Sequence, residues 1–397
     1  MVKAWLTIIG LGEDGPDGLP PASLKALDEA EVIMGPARHM ALVPDAGQKR
    51  ITWPVPFADG VPLLEQHRGR PTVVLASGNP FWFGAGSVIA RHLEAEEWRA
   101  LPGPSVFSLA AARLGWALET TTCLGLHAAP HGRLRPHLAL GQRMIVTLRD
   151  GAALADLMRY LSDHGFSETS LHILEALGGP RERLRRFRAD DIPPGDVLSP
   201  VAVALDVKGG GGIPHASGRS DSLFANDGQI TKRPVRALTL SALAPRPGEM
   251  LWDIGAGSGS IAIEWLMAHP ATRAVAIEAE PARAARIADN ARALGQDRLQ
   301  TVLGSAPSAL ADLPPPDAVF VGGGCSRALL DWLGVSLAPG TRLVANAVTL
   351  ETEALLGDAH SRLGGTLMRF EISESQPLGT RRGWKSSYPI VQWSVTL

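Results

Sequence analysis

Short apolar runs alternate with longer amphipathic segments along most of the chain. In the first half, Trp5 to Ile9, Thr72 to Ala76, Met144 to Leu148, Glu168 to Leu174 and Val201 to Leu205 read as strands. Ala22 to Ala30 reads as a helix, and the turn Leu101-Pro102-Gly103-Pro104-Ser105 leads into another over Val106 to Leu114. The second half is more regular. A strand over Met250 to Ile254 precedes a helix over Ser260 to Ala268, and a strand over Ala274 to Glu278 precedes a helix over Pro281 to Leu294. Thr301 to Leu303 and Ala318 to Val321 are further strands. Leu367 to Ile372 and Ile390 to Val395 form a terminal hairpin whose long loop holds Arg381, Arg382 and Trp384. Apolar strands separated by helices predict an α/β protein with parallel sheets covered by helices.

A stretch with little to bury interrupts this pattern. Gly209-Gly210-Gly211-Gly212 is followed by Pro214, Ser217, Gly218, Ser220 and Ser222, which predicts a linker over 208–226 between domains at 1–207 and 227–397. A length of 397 residues, 45% hydrophobic and 20% charged, fits a globular chain of at least two domains. The formal net charge of -2 and the lack of like-charge blocks argue against a general grip on nucleic acid. Cys123 and Cys325 have no metal-like spacing and fit a reducing, cytoplasmic setting. The apolar N-terminal run is too short for a signal peptide, and no run is long enough to suggest a membrane span. His127 and His131 are four residues apart, but Pro130 interrupts any helix between them, so no metal site is expected.

The strongest chemical signal is Leu251-Trp252-Asp253-Ile254-Gly255-Ala256-Gly257-Ser258-Gly259-Ser260, a buried strand entering a glycine turn that opens a helix. Gly255 and Gly257 let backbone approach a ligand, and the helix start offers unpaired N–H groups. Spacing alone would admit a dinucleotide. Asp253, however, suits an amino-bearing or cationic ligand better than a pyrophosphate, and Glu278 ends the next strand where it can accept ribose hydroxyls. This pattern resembles the class I S-adenosylmethionine methyltransferases over roughly 227–397. The resemblance implies that Asp253, Gly255, Gly257, Gly259 and Glu278 bind S-adenosylmethionine. Ser305 in Gly304-Ser305-Ala306 stands where that family often has an acid near the adenine.

In the first half, Gly10-Leu11-Gly12-Glu13-Asp14-Gly15 follows the first strand, and no acid closes Val32-Ile33-Met34-Gly35, which disfavours a dinucleotide site. With Ser77-Gly78-Asn79-Pro80-Phe81 and Pro102-Gly103-Pro104-Ser105, it resembles the two-lobed tetrapyrrole methylase fold (class III) over roughly 5–207. That resemblance implies a second donor site at Gly10, Gly12, Ser77, Gly78 and Asn79, with Asn79 replacing a usual Asp. It also implies a homo-oligomer, and places the segment around His127 near a tetrapyrrole cleft.

Three stretches narrow the substrate. Asn226 to Arg236, Asp317-Ala318-Val319-Phe320-Val321-Gly322-Gly323-Gly324 and Asn346-Ala347-Val348-Thr349-Leu350-Glu351 resemble the decarboxylating precorrin methyltransferases of cobalamin biosynthesis. The resemblance implies methylation of two meso carbons of a small tetrapyrrole, one per domain, and loss of carbon dioxide from an acetate arm in the C-terminal domain. A substrate bearing many carboxylates needs cationic partners. Lys232, Arg233 and Arg236 are the candidates, with Arg381 and Arg382 behind them, each also readable as a surface charge. Asp227 could move a proton or orient the substrate, or simply cap the Asp227-Gly228 turn. An RNA methyltransferase would need a basic stripe that the scattered arginines do not form. A sensor that binds the donor without turnover would leave two different donor sites unexplained.

Overall fold

The apolar runs do become buried strands. In the computed structural model of the chain, which describes residues 4–397, the strand Leu6–Leu11 is buried at every position. Two units can be distinguished by packing: 1–129 with 139–211, and 130–138 with 212–397.

Among the described residues of the first unit there are two five-stranded sheets. The first has the order Lys49–Thr52, Val32–Gly35, Thr72–Ser77, Leu6–Leu11, Trp98–Leu101, and every pairing is parallel. Its two faces are covered by separate apolar clusters, one around Leu6, Ile8 and Met34 and one around Ile9, Leu11 and Ile33. The second sheet runs Thr121–Gly125, Arg143–Thr147, Val201–Asp206, Ser170–Glu175, Arg183–Arg188, with antiparallel pairing except between the first two. The helix Val106–Leu114 packs on it through Phe107, Ala110 and Ala111. Ser105 caps that helix by accepting a hydrogen bond from Ser108 N, and Gly115 ends it in the left-handed region.

The second unit is built on a seven-stranded sheet among the described residues, ordered Gln300–Leu303, Arg273–Glu278, Met250–Ile254, Ala318–Val321, Arg342–Ala347, Ile390–Thr396, Thr366–Phe370. The first five are parallel, and the last two pair antiparallel. Strand order reverses beside Met250–Ile254, so the crevice at the carboxyl ends there is the expected ligand position. The helix Ser260–Ala268 is buried all round from Ser260 to Leu266. Trp265 and Trp393 are fully buried, and each stabilises the unit by about 1.5–3 kcal/mol or more relative to exposure.

Two sequence expectations change. The loop of the terminal hairpin is itself a two-stranded ribbon, Ser373–Leu378 against Arg381–Ser386. The segment 208–226 is not a free linker along its length: Ile213, Arg219 and Phe224 are buried in the second unit. Their anchor is Glu264, whose carboxylate accepts from Gly218 N, Arg219 N, Arg219 Nη1 and Arg236 Nε.

Candidate functional site

In the second unit the turn after Met250–Ile254 takes left-handed backbone at Gly255 (φ 67) and Gly257 (φ 60). A methyl group on Gly255 would lie 2.6 Å from Gly323 backbone, so strand-end and facing loop can touch only because Gly255 lacks a side chain. Glu278, largely buried, accepts from Gly257 N at 2.8 Å and from Glu280 N at 3.1 Å. Each of its oxygens retains a lone pair for a ligand.

These groups line a cavity of about 1770 Å³, together with Ser305, Gly322, Gly323, Gln229, Lys232, Arg233, Asn346, Lys385 and Tyr388. That exceeds the usual 300–1,000 Å³ of a small-ligand site and leaves room for two ligands side by side. Asn346 Nδ2 donates to Thr239 Oγ1, and its Oδ1 accepts from Gln392 Nε2. That buried network fixes the amide at the cavity wall.

Asp253 and Gly259 lie behind this surface rather than on it. Asp253 Oδ2 accepts from Ala262 N, while Oδ1 is buried without a partner among the described residues. Burial, opposed by the Ala262 N–H and reinforced by Glu278, pushes its carboxyl up to about 7. Gly259 sits in left-handed backbone at the start of Ser260–Ala268, where a methyl group would press on Ile287.

The three catalytic candidates separate. Lys232 is exposed at the cavity rim and precedes the helix Arg233–Leu243. Arg236 must be corrected. Its guanidinium is fully buried, paired with Glu264 and Asp221 and donating to the Thr231 and Arg219 carbonyls. It is held inside the unit by these partners and does not line the cavity, so it cannot meet substrate. Asp227 does not reach the cavity either. It pairs with Arg283 at 2.9 Å and Arg286 at 3.1 Å and accepts from Gln229 N. The Arg283 hydrogen bond, before the other contacts, holds its carboxyl well below the usual range, so it stays ionised and does not carry a proton. Arg381 and Arg382 are exposed on the outer ribbon, away from the cavity lining, whereas Lys385 of the same ribbon lines it.

The first unit has its own cleft, about 590 Å³, at the carboxyl ends of Leu6–Leu11 and Thr72–Ser77. Gly12, Ser77, Gly78 and Asn79 line it. Gly10 does not. A side chain there would overlap the Gly78 carbonyl oxygen, so its role is to let the strand-end loops close together, with Gly103 N donating to that carbonyl. Asn79 Oδ1 accepts from Phe81 N and shapes the turn. His127 lines the cleft too, its Nδ1 paired with Thr147 Oγ1 at 3.1 Å, and burial lowers its pKa. The walls are Trp53, Val55, Phe57, Trp82 and Phe83. Sequence reasoning missed the polar corner made by Glu13, Arg38 and His39. Only the acidic residue within the glycine stretch hinted at it.

Residues 5–193 match the family described as Tetrapyrrole (Corrin/Porphyrin) Methylases, and residues 222–397 match the Precorrin methyltransferase domain. The chain is 48% identical over 404 residues to a Sinorhizobium sp. precorrin-6Y C(5,15)-methyltransferase [decarboxylating], covering 100% of this chain and 97% of the relative. It is 42% identical to a protein of the same description from Mycobacterium tuberculosis, covering 98% and 99%. Among solved structures, the C-terminal domain of the Rhodobacter capsulatus precorrin-6Y C5,15-methyltransferase is 55% identical, covering 47% of this chain and 100% of that one, with a TM-score of 0.45.

Proposed function

The chain belongs to the family of decarboxylating precorrin-6Y C(5,15)-methyltransferases, and from that membership we propose that it uses S-adenosylmethionine at two sites to methylate two meso carbons of precorrin-6B. With loss of carbon dioxide from an acetate arm, the product is precorrin-8X, an intermediate on the way to cobalamin. It is a methyltransferase of cobalamin biosynthesis. The single observation that carries this reading is end-to-end similarity to bifunctional relatives, with a separate lined cavity in each unit.

The residues of the second unit suit the proposed donor. Glu278 offers free lone pairs beside a glycine turn, and Ser305 offers a hydroxyl. S-adenosylmethionine supplies an electrophilic sulfonium methyl when bound. Gly255 and Gly257 hold the approach open, and the Gln229 carbonyl packs against Gly257. Lys232, Arg233 and Lys385 at the cavity wall suit substrate carboxylates. Asn346, locked by Thr239 and Gln392, orients the ring. Positioning of this kind can supply about 7–11 kcal/mol of the barrier, which explains how an electron-rich meso carbon reacts without a nucleophilic triad. In the first unit, Gly12, Ser77, Gly78 and Asn79 are the donor side, and the aromatic walls exclude water. The protein acts on a small tetrapyrrole without nucleic acid, in the cytoplasm, as a homo-oligomer. No helix of the described residues is long and apolar enough to cross a membrane.

Incubation with methyl-labelled S-adenosylmethionine and precorrin-6B tests this. Two labelled methyls per carbon dioxide released are expected. No transfer to the tetrapyrrole sinks the reading.

A further inference from the structure

We propose that Arg38 is a carboxylate-binding residue of the N-terminal cleft, held in place by Glu13, His39 and Ser77. This rests on reading that cleft as a methylation site for an acidic tetrapyrrole.

Among the described residues lining the cleft, Arg38 is the one arginine or lysine. The rest of the wall is largely aromatic and aliphatic, apart from Glu13, which pairs with Arg38 itself. Arg38 follows the strand Val32–Gly35, and its guanidinium reaches back to two other strand ends. It donates to Glu13 Oε1, to Ser77 Oγ at 2.9 Å and to His39 Nε2 at 2.8 Å. A guanidinium has no lone pair to give, so His39 Nε2 must be the acceptor and the ring must be neutral. Burial first, and then the Arg38 charge, keep the imidazole pKa down at about 4, in accord with that assignment.

The charges in this corner do not cancel. Glu13, with its side chain 6% exposed, also accepts from Arg181 Nη2 at 3.2 Å. One carboxylate thus faces two guanidinium groups while His39 adds no charge. The cluster keeps a net positive charge at the edge of an apolar cleft. Arg38 is not closed off: it remains 34% exposed, and three contacts engage three of its five N–H groups. Two remain for an anion. The neighbouring Ser77 begins the Gly78-Asn79 turn, so the cation stands beside the proposed donor position. The shared ligand chemistry is a carboxylate, from an acidic arm of the tetrapyrrole or from the amino-acid end of the donor.

The test uses full-length Arg38→Gln and Arg38→Lys. A calorimetric melting transition of the first unit matching wild type reports that each variant is folded, and carbon dioxide release reports that the other unit is intact. If the occupant is a tetrapyrrole arm, Arg38→Gln raises the substrate KM of the N-terminal methylation roughly 10- to 150-fold, as loss of a charged hydrogen bond does. The charge-retaining Arg38→Lys then falls between. If the occupant is the donor carboxylate, calorimetry with S-adenosylmethionine alone shows one of two sites lost in Arg38→Gln. Unchanged KM together with two unchanged donor sites overturns the proposal. A wild-type chain that transfers no methyl fails the functional reading instead, whatever the variants do.

Discussion

Asp253 and Glu278 both lie at the glycine turn, but their environments assign them different work. Glu278 faces the cavity and keeps lone pairs free, so Glu278→Ala is expected to abolish donor binding in the second unit only. Calorimetry that still finds two equal sites would refute the assignment. Asp253 lies beneath, with a carboxyl pushed from an ordinary 3.8 up to about 7. The folded state therefore holds its proton more tightly than the unfolded one. Its stabilising contribution is full below about pH 4 and is lost as pH rises towards about 7. Asp253→Asn keeps an oxygen for Ala262 N and removes the titration, so it should gain stability over wild type across that range. Denaturant midpoints at pH 4 and pH 7.5 check this, and a constant difference between the two proteins contradicts it. At this scale the sequence was readable where chemistry lay within one contiguous stretch, as in the 251–260 turn. It was not readable for Arg38, whose partners Glu13 and Ser77 meet it only through folding. Nor was it readable for Arg236, where a basic residue in a promising stretch serves a buried carboxylate.

Most elements read correctly from sequence are buried on both faces, because continuous apolar runs leave a plain signal. Exposed elements gave an uneven one: Thr366–Phe370 is exposed yet apolar enough to read, whereas its neighbouring ribbon was not. The ribbon Ser373–Leu378 with Arg381–Ser386 is exposed along nearly its whole length, so no alternation marks its strands. The strand Arg183–Arg188 reads as a charged run, yet Arg183 and Arg185 fold inward onto the buried Glu175 and onto Asp196. The segment 226–232 borders the second cavity and is pinned to the helix Pro281–Ala293 by Asp227 with Arg283 and Arg286. These side chains are about a third exposed or less, so the pairs are modest. Asp227→Ala should therefore weaken donor binding in that unit only about two- to fivefold, an effect that shrinks at high salt. A hundredfold loss of turnover with unchanged donor affinity would instead restore Asp227 to a chemical role.

Each unit of the whole molecule carries its own cavity and its own apolar clusters. The glycine run near 209–212 marks the main change of unit, and the alternation of strands and helices reveals the fold class. One part of the partition was illegible. Residues 130–138 precede the glycine run by some distance yet pack with the second unit, where Arg133 pairs with Asp297 at 2.9 Å and 3.0 Å. A polar loop with two prolines gives no hint of such an address. A fragment of residues 212–397 should melt several degrees below the same unit in the whole chain, by calorimetry. Equal melting temperatures would mean the segment adds nothing.

That segment also bears on how such proteins can be recombined. A chimera that joins the front of one homologue to the back of another at the glycine run would carry a foreign piece into the rear unit. Arg133 would then have to find its acid on a surface that evolved beside a different sequence. Workable crossovers need either matched residues at 133 and 297 or two additional junctions flanking the loop.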